Sequence, residues 1–268
     1  MRLVIVAPRE GIAWVRRAFQ IFFRQPLGYA SLFAACALVF FILLRVPFVG
    51  EPILLVVAPA GSLLFMIAAR LGAAGERPVP GAFVELASTD RPRVIRMLKL
   101  GLAYLVAALL AVGLIALVEG DSMALFLEAA SNSNASPDVA AAQLSDPRLQ
   151  AGFLLRLGLG TLLSIPFWHA PALVYWGGQS WAKALFFSTV AIWRNKGAFT
   201  LYGLAWAGLG ACFMMLLGIV VALVGPITAT YIATPLVLFF TTVLYVSLWF
   251  TFHGCFAEEG EQPPLASA

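Results

Sequence analysis

The sequence predicts an all-α integral membrane protein with six transmembrane helices, on three observations. The 268 residues are 62% hydrophobic and 11% charged, with a mean hydropathy of +0.93. A soluble domain carries about 25% charge, so lipid is the solvent that suits this surface. Six apolar runs approach or exceed the roughly 20 residues that a span requires. Lys and Arg gather on alternate connections, as a multi-pass topology demands.

Taken in order, residues 8–25 come before the first span. In 11-GIAWVRRAFQIFFRQP-26, Ile12, Val15, Phe19, Phe22 and Phe23 gather on one side of a helix, with Arg17, Gln20, Arg24 and Glu10 opposite and Arg16 at the border. A helix this basic and this aromatic is expected to lie in the headgroup plane. Arg16, Arg17, Arg24 and Trp14 would then contact anionic lipid headgroups. Pro26 turns the chain into the bilayer.

Spans are predicted at 27–44, 52–69, 99–118, 155–176, 199–224 and 228–252. Arg45, Pro47, Gly50 and Glu51 mark a tight turn between the first two, and Gly225–Pro226 separates the last two. Of the 17 Lys and Arg residues, all but Arg45, Arg148 and Arg156 fall on the N-terminal arm, the 70–99 loop and the 177–198 connection. That bias places both termini in the cytoplasm of a bacterial inner membrane. It also accounts for the net charge of +4 without nucleic acid as a partner.

The 119–150 segment then faces outward as an extracytoplasmic loop with about one helical turn at 123–130, and residues 256–268 form an acidic C-terminal tail. Asn134-Ala135-Ser136 fits a glycosylation acceptor pattern that carries no weight in a bacterial setting. The opening MRLVIVAPREG is too short and too charged for a cleavable signal peptide. Cys36, Cys212 and Cys255 have neither disulfide nor metal spacing.

A three-fold repetition runs through the chain. Gly178, Trp181, Lys183, Phe186, Phe187, Trp193 and Arg194 precede span five much as Gly11, Trp14, Arg16, Phe22, Phe23 and Arg24 precede span one. The segment 81–96 precedes span three in similar order, and 101-GLAY-104 echoes 203-GLAW-206. These echoes suggest three units of surface helix, span in, span out. Such units share one orientation, which counts against an inverted-repeat transporter.

The G-x-x-W-x-x-x-x-F opening, the R-Q-P that follows it, the six spans and the repeated surface segments together resemble uncharacterised multi-pass inner-membrane protein families of Gram-negative bacteria. More loosely, they are similar to the membrane domain attached to some glycerophosphodiester phosphodiesterases. That resemblance implies location and topology. The catalytic barrel of those enzymes is absent, so no catalytic residue is carried over.

Chemistry-bearing residues are sparse. Glu119 and Arg156 lie near outer span ends, where they could form a structural pair. Pro166 and Pro171 flank His169 and should kink span four, exposing carbonyls beside an imidazole and near Ser164. Span six turns Thr230, Thr234, Thr241 and Tyr245 to one side. These six residues are the candidate ligand site, and packing is the competing reading for each. Ala103/Ala107/Ala111 and Gly203/Ala207/Ala211 form small-residue ridges for helix contact. No phosphate loop, H-E-x-x-H or C-x-x-C occurs. No metal or cofactor is expected. The functional expectation is a non-enzymatic membrane protein that binds or organises lipid or partner proteins. The alternative is a small-molecule or lipid permease with its site at the kinked fourth span.

Overall fold

A computed structural model describes residues 1–131 and 142–257. The glycosylation pattern at 134–136 and the acidic stretch 258–268 lie outside the described residues. The described chain is built from helices α1 (Glu10–Arg24), α2 (Pro26–Leu44), α3 (Gly50–Ala73), α4 (Pro78–Ala87), α5 (Arg91–Glu119), α6 (Ser122–Ser131), α7 (Pro147–Phe167), α8 (Ala170–Tyr175), α9 (Trp181–Arg194), α10 (Lys196–Val224) and α11 (Pro226–Cys255). Two short strands, β1 (Arg2–Leu3) and β2 (Phe256–Ala257), pair antiparallel and bring the two ends of the described chain together.

Six stretches are long and apolar enough to cross a membrane: α2, α3, α5, α7 with α8, α10 and most of α11. The fold is therefore an all-α multi-pass membrane protein. Several helices outrun their apolar cores, because polar caps and basic turns extend them into the interface. Asp90 caps α5 by accepting from Arg93 N at 3.0 Å, so Arg91, Arg93 and Arg96 belong to the first turns of a span and not to a separate surface segment. Asp146 does the same for α7, accepting from Arg148 N at 2.9 Å, so the fourth span begins at Pro147 and not at 155. The 119–150 segment holds more helix than expected, since α6 fills ten of its residues. Phe256 and Ala257 form a strand where the sequence reads as tail.

Two turns follow their local chemistry. Gly225, at φ +79°, stops α10 before Pro226 opens α11. Between α2 and α3, Phe48 takes φ +64° and stands 98% exposed. Gly50 follows it because a Cβ there would meet the Leu43 carbonyl oxygen.

The dense core lies at the end of the bundle that carries α1, α4, α8 and α9. Its residues include Trp14, Tyr29, Leu63, Met66, Ile67, Leu100, Val174, Val243 and Val246, all fully buried. α3 is the central helix, packing on α2, α4, α5, α8 and α11. At the opposite end few side chains are buried, and Glu119 with Ile115 and Leu149 marks a local contact of α5 with α7. The ridge predicted at Gly203, Ala207 and Ala211 is unused: all three are exposed, and α10 packs instead through Tyr202, Ala205, Trp206 and Leu209. A helix that must bury large aromatics turns that face inward and leaves its small residues to lipid.

Candidate functional site

The break in the fourth span is built from three residues. α7 ends at Phe167 and α8 begins at Ala170, with His169 as its N-cap. In an unbroken helix the His169 amide would donate to the Ile165 carbonyl. Here Ser188 of α9 stands between them, accepting from His169 N at 3.0 Å and donating to Ile165 O at 2.9 Å. A hydroxyl spliced into the helical ladder is one of the standard causes of a kink. Pro171 removes a further donor.

The His169 ring is fully buried, ringed by Phe199, Phe252 and Phe256 with centroids 5.6–6.0 Å away. Its Nε2 lies 3.2 Å from Thr251 Oγ1. Thr251 donates its single proton to Leu248 O at 2.8 Å and accepts from Trp168 Nε1 at 3.1 Å. That allocation leaves the hydroxyl as acceptor, so His169 Nε2 carries the proton and Nδ1 is bare. Nδ1 finds no partner in the interior.

The proposed ligand constellation does not assemble. Thr234 and Thr230 lie roughly 26 and 32 Å along α11 from Thr251, at 1.5 Å per residue. Both are exposed, and Thr234 Oγ1 donates back to Thr230 O at 2.9 Å. They border an apolar crevice of about 410 Å³ between α10 and α11, together with Leu217, Val221, Val237 and Leu238. Thr241 is half-buried. The Tyr245 ring packs 5.1 Å from Phe65, and Ser164 donates to Thr161 O at 2.7 Å. A hydroxyl without a partner helix at its level bonds to its own preceding turn. The α11 group that does meet His169 is Thr251. Thr251 stands outside the periodic row of hydroxyls at the other end of the helix, so no sequence pattern marks it.

Two buried residues with no motif around them organise the rest. Asn195 joins α9 to α10: its Oδ1 accepts from Val6 N at 2.8 Å and its Nδ2 donates to Val4 O and Ala191 O at 3.0 Å. Tyr202 OH meets Ser247 Oγ at 2.6 Å, linking α10 to α11. Glu119 and Arg156 form the paired contact expected of them, with Nη1–Oε1 2.8 Å and Nη2–Oε2 2.6 Å. Among the described residues no group of three His, Cys, Asp or Glu side chains could hold a metal ion.

The surface helices correct the expected headgroup contacts. Trp14 is fully buried against Phe199 and Tyr202, with Gly254 pressed on its indole nitrogen. It is a core anchor and not a lipid contact. The inward face of α1 runs through Gly11, Trp14, Val15, Ala18, Ile21 and Phe22, which leaves Ile12 and Phe23 exposed at its flank and Arg16, Arg17 and Arg24 exposed opposite. In α9 the faces are exchanged. Ala184, Ser188 and Ala191 are buried, while Trp181, Phe186, Phe187 and Trp193 project outward, Trp193 to 74%. The repeated order of residue types does not carry a repeated orientation.

No family model matches the chain, and no solved structure matches it. A protein of Burkholderia thailandensis named as a probable inner membrane protein is 33% identical over 269 residues, covering 99% of this chain and 97% of that relative. The chain belongs to this inner-membrane protein family. For a member of such a family the six apolar helices are membrane spans, and chain alternation puts α1, α4 and α9 on one common face. α1 and α9 carry exposed arginines and aromatic rings on that face.

Proposed function

We propose that this protein is a non-enzymatic, multi-pass inner-membrane protein that binds and organises anionic lipid headgroups at its cytoplasmic face, with both termini in the cytoplasm. One observation carries the reading. α1 hides its aromatic face on α10 and α11 and leaves Arg16, Arg17 and Arg24 exposed, on the same face of the bundle as the outward rings of α9. Basic groups fixed at headgroup depth attract anionic lipid by about 1 kcal/mol each. The one-sided Lys and Arg supports the orientation. The likeness to the membrane domain attached to some glycerophosphodiester phosphodiesterases is in keeping with a lipid-facing role and brings no catalytic residue.

The permease alternative has less support. His169 is enclosed by aromatic rings and committed to Thr251, which leaves no approach for a solute. Native mass spectrometry of the full protein in mixed micelles of phosphatidylglycerol and phosphatidylcholine tests the proposal. Wild type should retain more phosphatidylglycerol molecules than the variant Arg16→Gln/Arg17→Gln/Arg24→Gln. Equal retention of both lipids by wild type would end the headgroup reading. Accessible-cysteine labelling at each terminus from either side of the membrane tests the orientation.

A further inference from the structure

Away from α1, four helices bring a second set of basic groups together. Arg70 at the end of α3 donates from Nη2 to Glu85 Oε2 of α4 at 2.5 Å. Tyr175 at the end of α8 turns its hydroxyl to the same Glu85, 3.4 Å from its carbonyl oxygen and 3.5 Å from Oε1. The Arg93 guanidinium of α5 lies over the Tyr175 ring at 5.5 Å. Arg96 follows one turn later on the same side of α5. Arg70, Glu85, Tyr175 and Arg93 thus form one continuous cluster, and Arg96 stands one turn along α5 from Arg93.

The charges in this cluster do not balance. Glu85 takes Arg70, and Asp90 reaches Arg93 Nε only at 3.9 Å while its carboxylate caps α5. Three guanidinium groups therefore face two carboxylates, one of them distant. Nε of Arg70 and Nε of Arg96 are buried without an acceptor. Buried charged donors left unpaired are costly, and an oxyanion held by the exposed parts of the same guanidinium groups offsets that cost. The Arg70 and Arg93 side chains keep 38% and 44% of their exposure, so the cluster is open to an incoming group. Tyr175, itself buried, provides a fixed floor. Planar guanidinium forks suit a phosphate, which accepts on several oxygens at once.

We propose that Arg70, Arg93 and Arg96, set around Glu85 and Tyr175, form a specific phosphate-binding site for a phospholipid headgroup or a water-soluble phosphate ester. The inference rests on the headgroup reading in taking this face to meet phosphate, and it assigns the tightest contact to α3–α5 and not to α1. Arg70 is committed to Glu85, so the variants that test it are on α5.

The experiment titrates the full protein in neutral-detergent micelles with phosphatidylglycerol, reading bound lipid by native mass spectrometry, and repeats the titration with excess glycerol phosphate. Arg93→Gln/Arg96→Gln should hold the first phosphatidylglycerol roughly tenfold more weakly, the loss expected for charge-assisted hydrogen bonds. Arg16→Gln/Arg17→Gln/Arg24→Gln should keep that first lipid and lose only later ones. Competition by glycerol phosphate would identify a soluble ester as the source of the phosphate, and its absence a lipid. If the α5 variant binds like wild type while the α1 variant does not, the site is refuted and the headgroup reading stands. If neither variant changes binding, both fall. Arg96→Gln alone, with an unchanged melting temperature, serves if the double variant misfolds.

Discussion

At the scale of single residues, the interior depends on hydroxyls whose protons are fully allocated. Thr251 serves Trp168, His169 and Leu248 at once, and Ser188 closes the gap in the fourth span. Thr251→Val keeps the shape and removes the acceptor, leaving the Trp168 and His169 donors buried and unpaired. Each such loss costs about 1–3 kcal/mol. The variant should therefore melt several degrees lower in detergent, while Thr234→Val, at an exposed position that bonds only its own helix, should melt with wild type. Equal melting of the two would show that Thr251 is not the hub described. The sequence displayed His169 between two prolines and so revealed the break. It could not reveal Thr251, since a hydroxyl's partner is fixed by the register of helices distant in the chain.

At the scale of elements, helix docking is decided by close approach of backbone. A Cβ on Gly11 would lie 2.0 Å from the Ala198 carbonyl oxygen and 2.7 Å from Tyr202 N. Both are rigid main-chain atoms, so Gly11→Ala must lift α1 from α10. Overpacking of this kind costs about 1–3 kcal/mol or more. Gly203 meets nothing within 4 Å. Gly203→Ala should therefore be neutral or slightly stabilising, because Ala favours helix by up to about 1 kcal/mol. Thermal unfolding of the two variants beside wild type checks both, and a destabilised Gly203→Ala would contradict the lipid-facing assignment. The number and order of the spans were legible because some 20 apolar residues have little choice in water or lipid. The facing of α1 was half legible: its arginines mark the outer side and Val15 and Phe22 the inner one, yet Trp14, Ala18 and Ile21, which also dock, lie beside the most obvious apolar stripe.

At the scale of the whole molecule, packing is dense at one end and sparse at the other. Near the sparse end, outside the spans, Asp146 ties α6 to α7 by accepting from Ser122 Oγ at 2.5 Å and from Arg148 N. The Ser122 hydrogen bond first, and the Arg148 amide next, hold its carboxyl below the usual range. A depressed folded-state pKa means that this tie contributes fully above the unfolded carboxylate pKa and is lost as pH falls through the lower folded value. The hydrogen-exchange protection of residues 122–131, measured relative to the intrinsic rate at each pH, should accordingly be unchanged from pH 7 to about 5 and fall only in stronger acid. Asp146→Asn should remove much of that acid response, and an unchanged response would show that another group governs it. The two polar ties of this end differ in legibility. Glu119 and Arg156 stood out because charges are rare in spans, whereas Asp146 lay in a loop full of similar residues.

The pairing of β1 with β2, and the seat of α1 on α10 and α11, join the start of the described chain to elements made much later. During synthesis the partners of Trp14, Val4 and Val6 do not yet exist when those residues leave the ribosome. They arrive only when residues 195–257 have been inserted. Until then the part of α1 that docks on α10 and α11 is uncovered, while its Phe22 end already meets Tyr29 of α2, and the bilayer surface is the apolar cover at hand for an amphipathic helix. The surface-lying state inferred from the sequence is thus the natural condition of the nascent chain, and the docked state that of the finished one. Insertion of α10 and α11 is what closes the fold, so a chain truncated before α11 would lack the β1–β2 clasp and much of the seat of its amino-terminal helix.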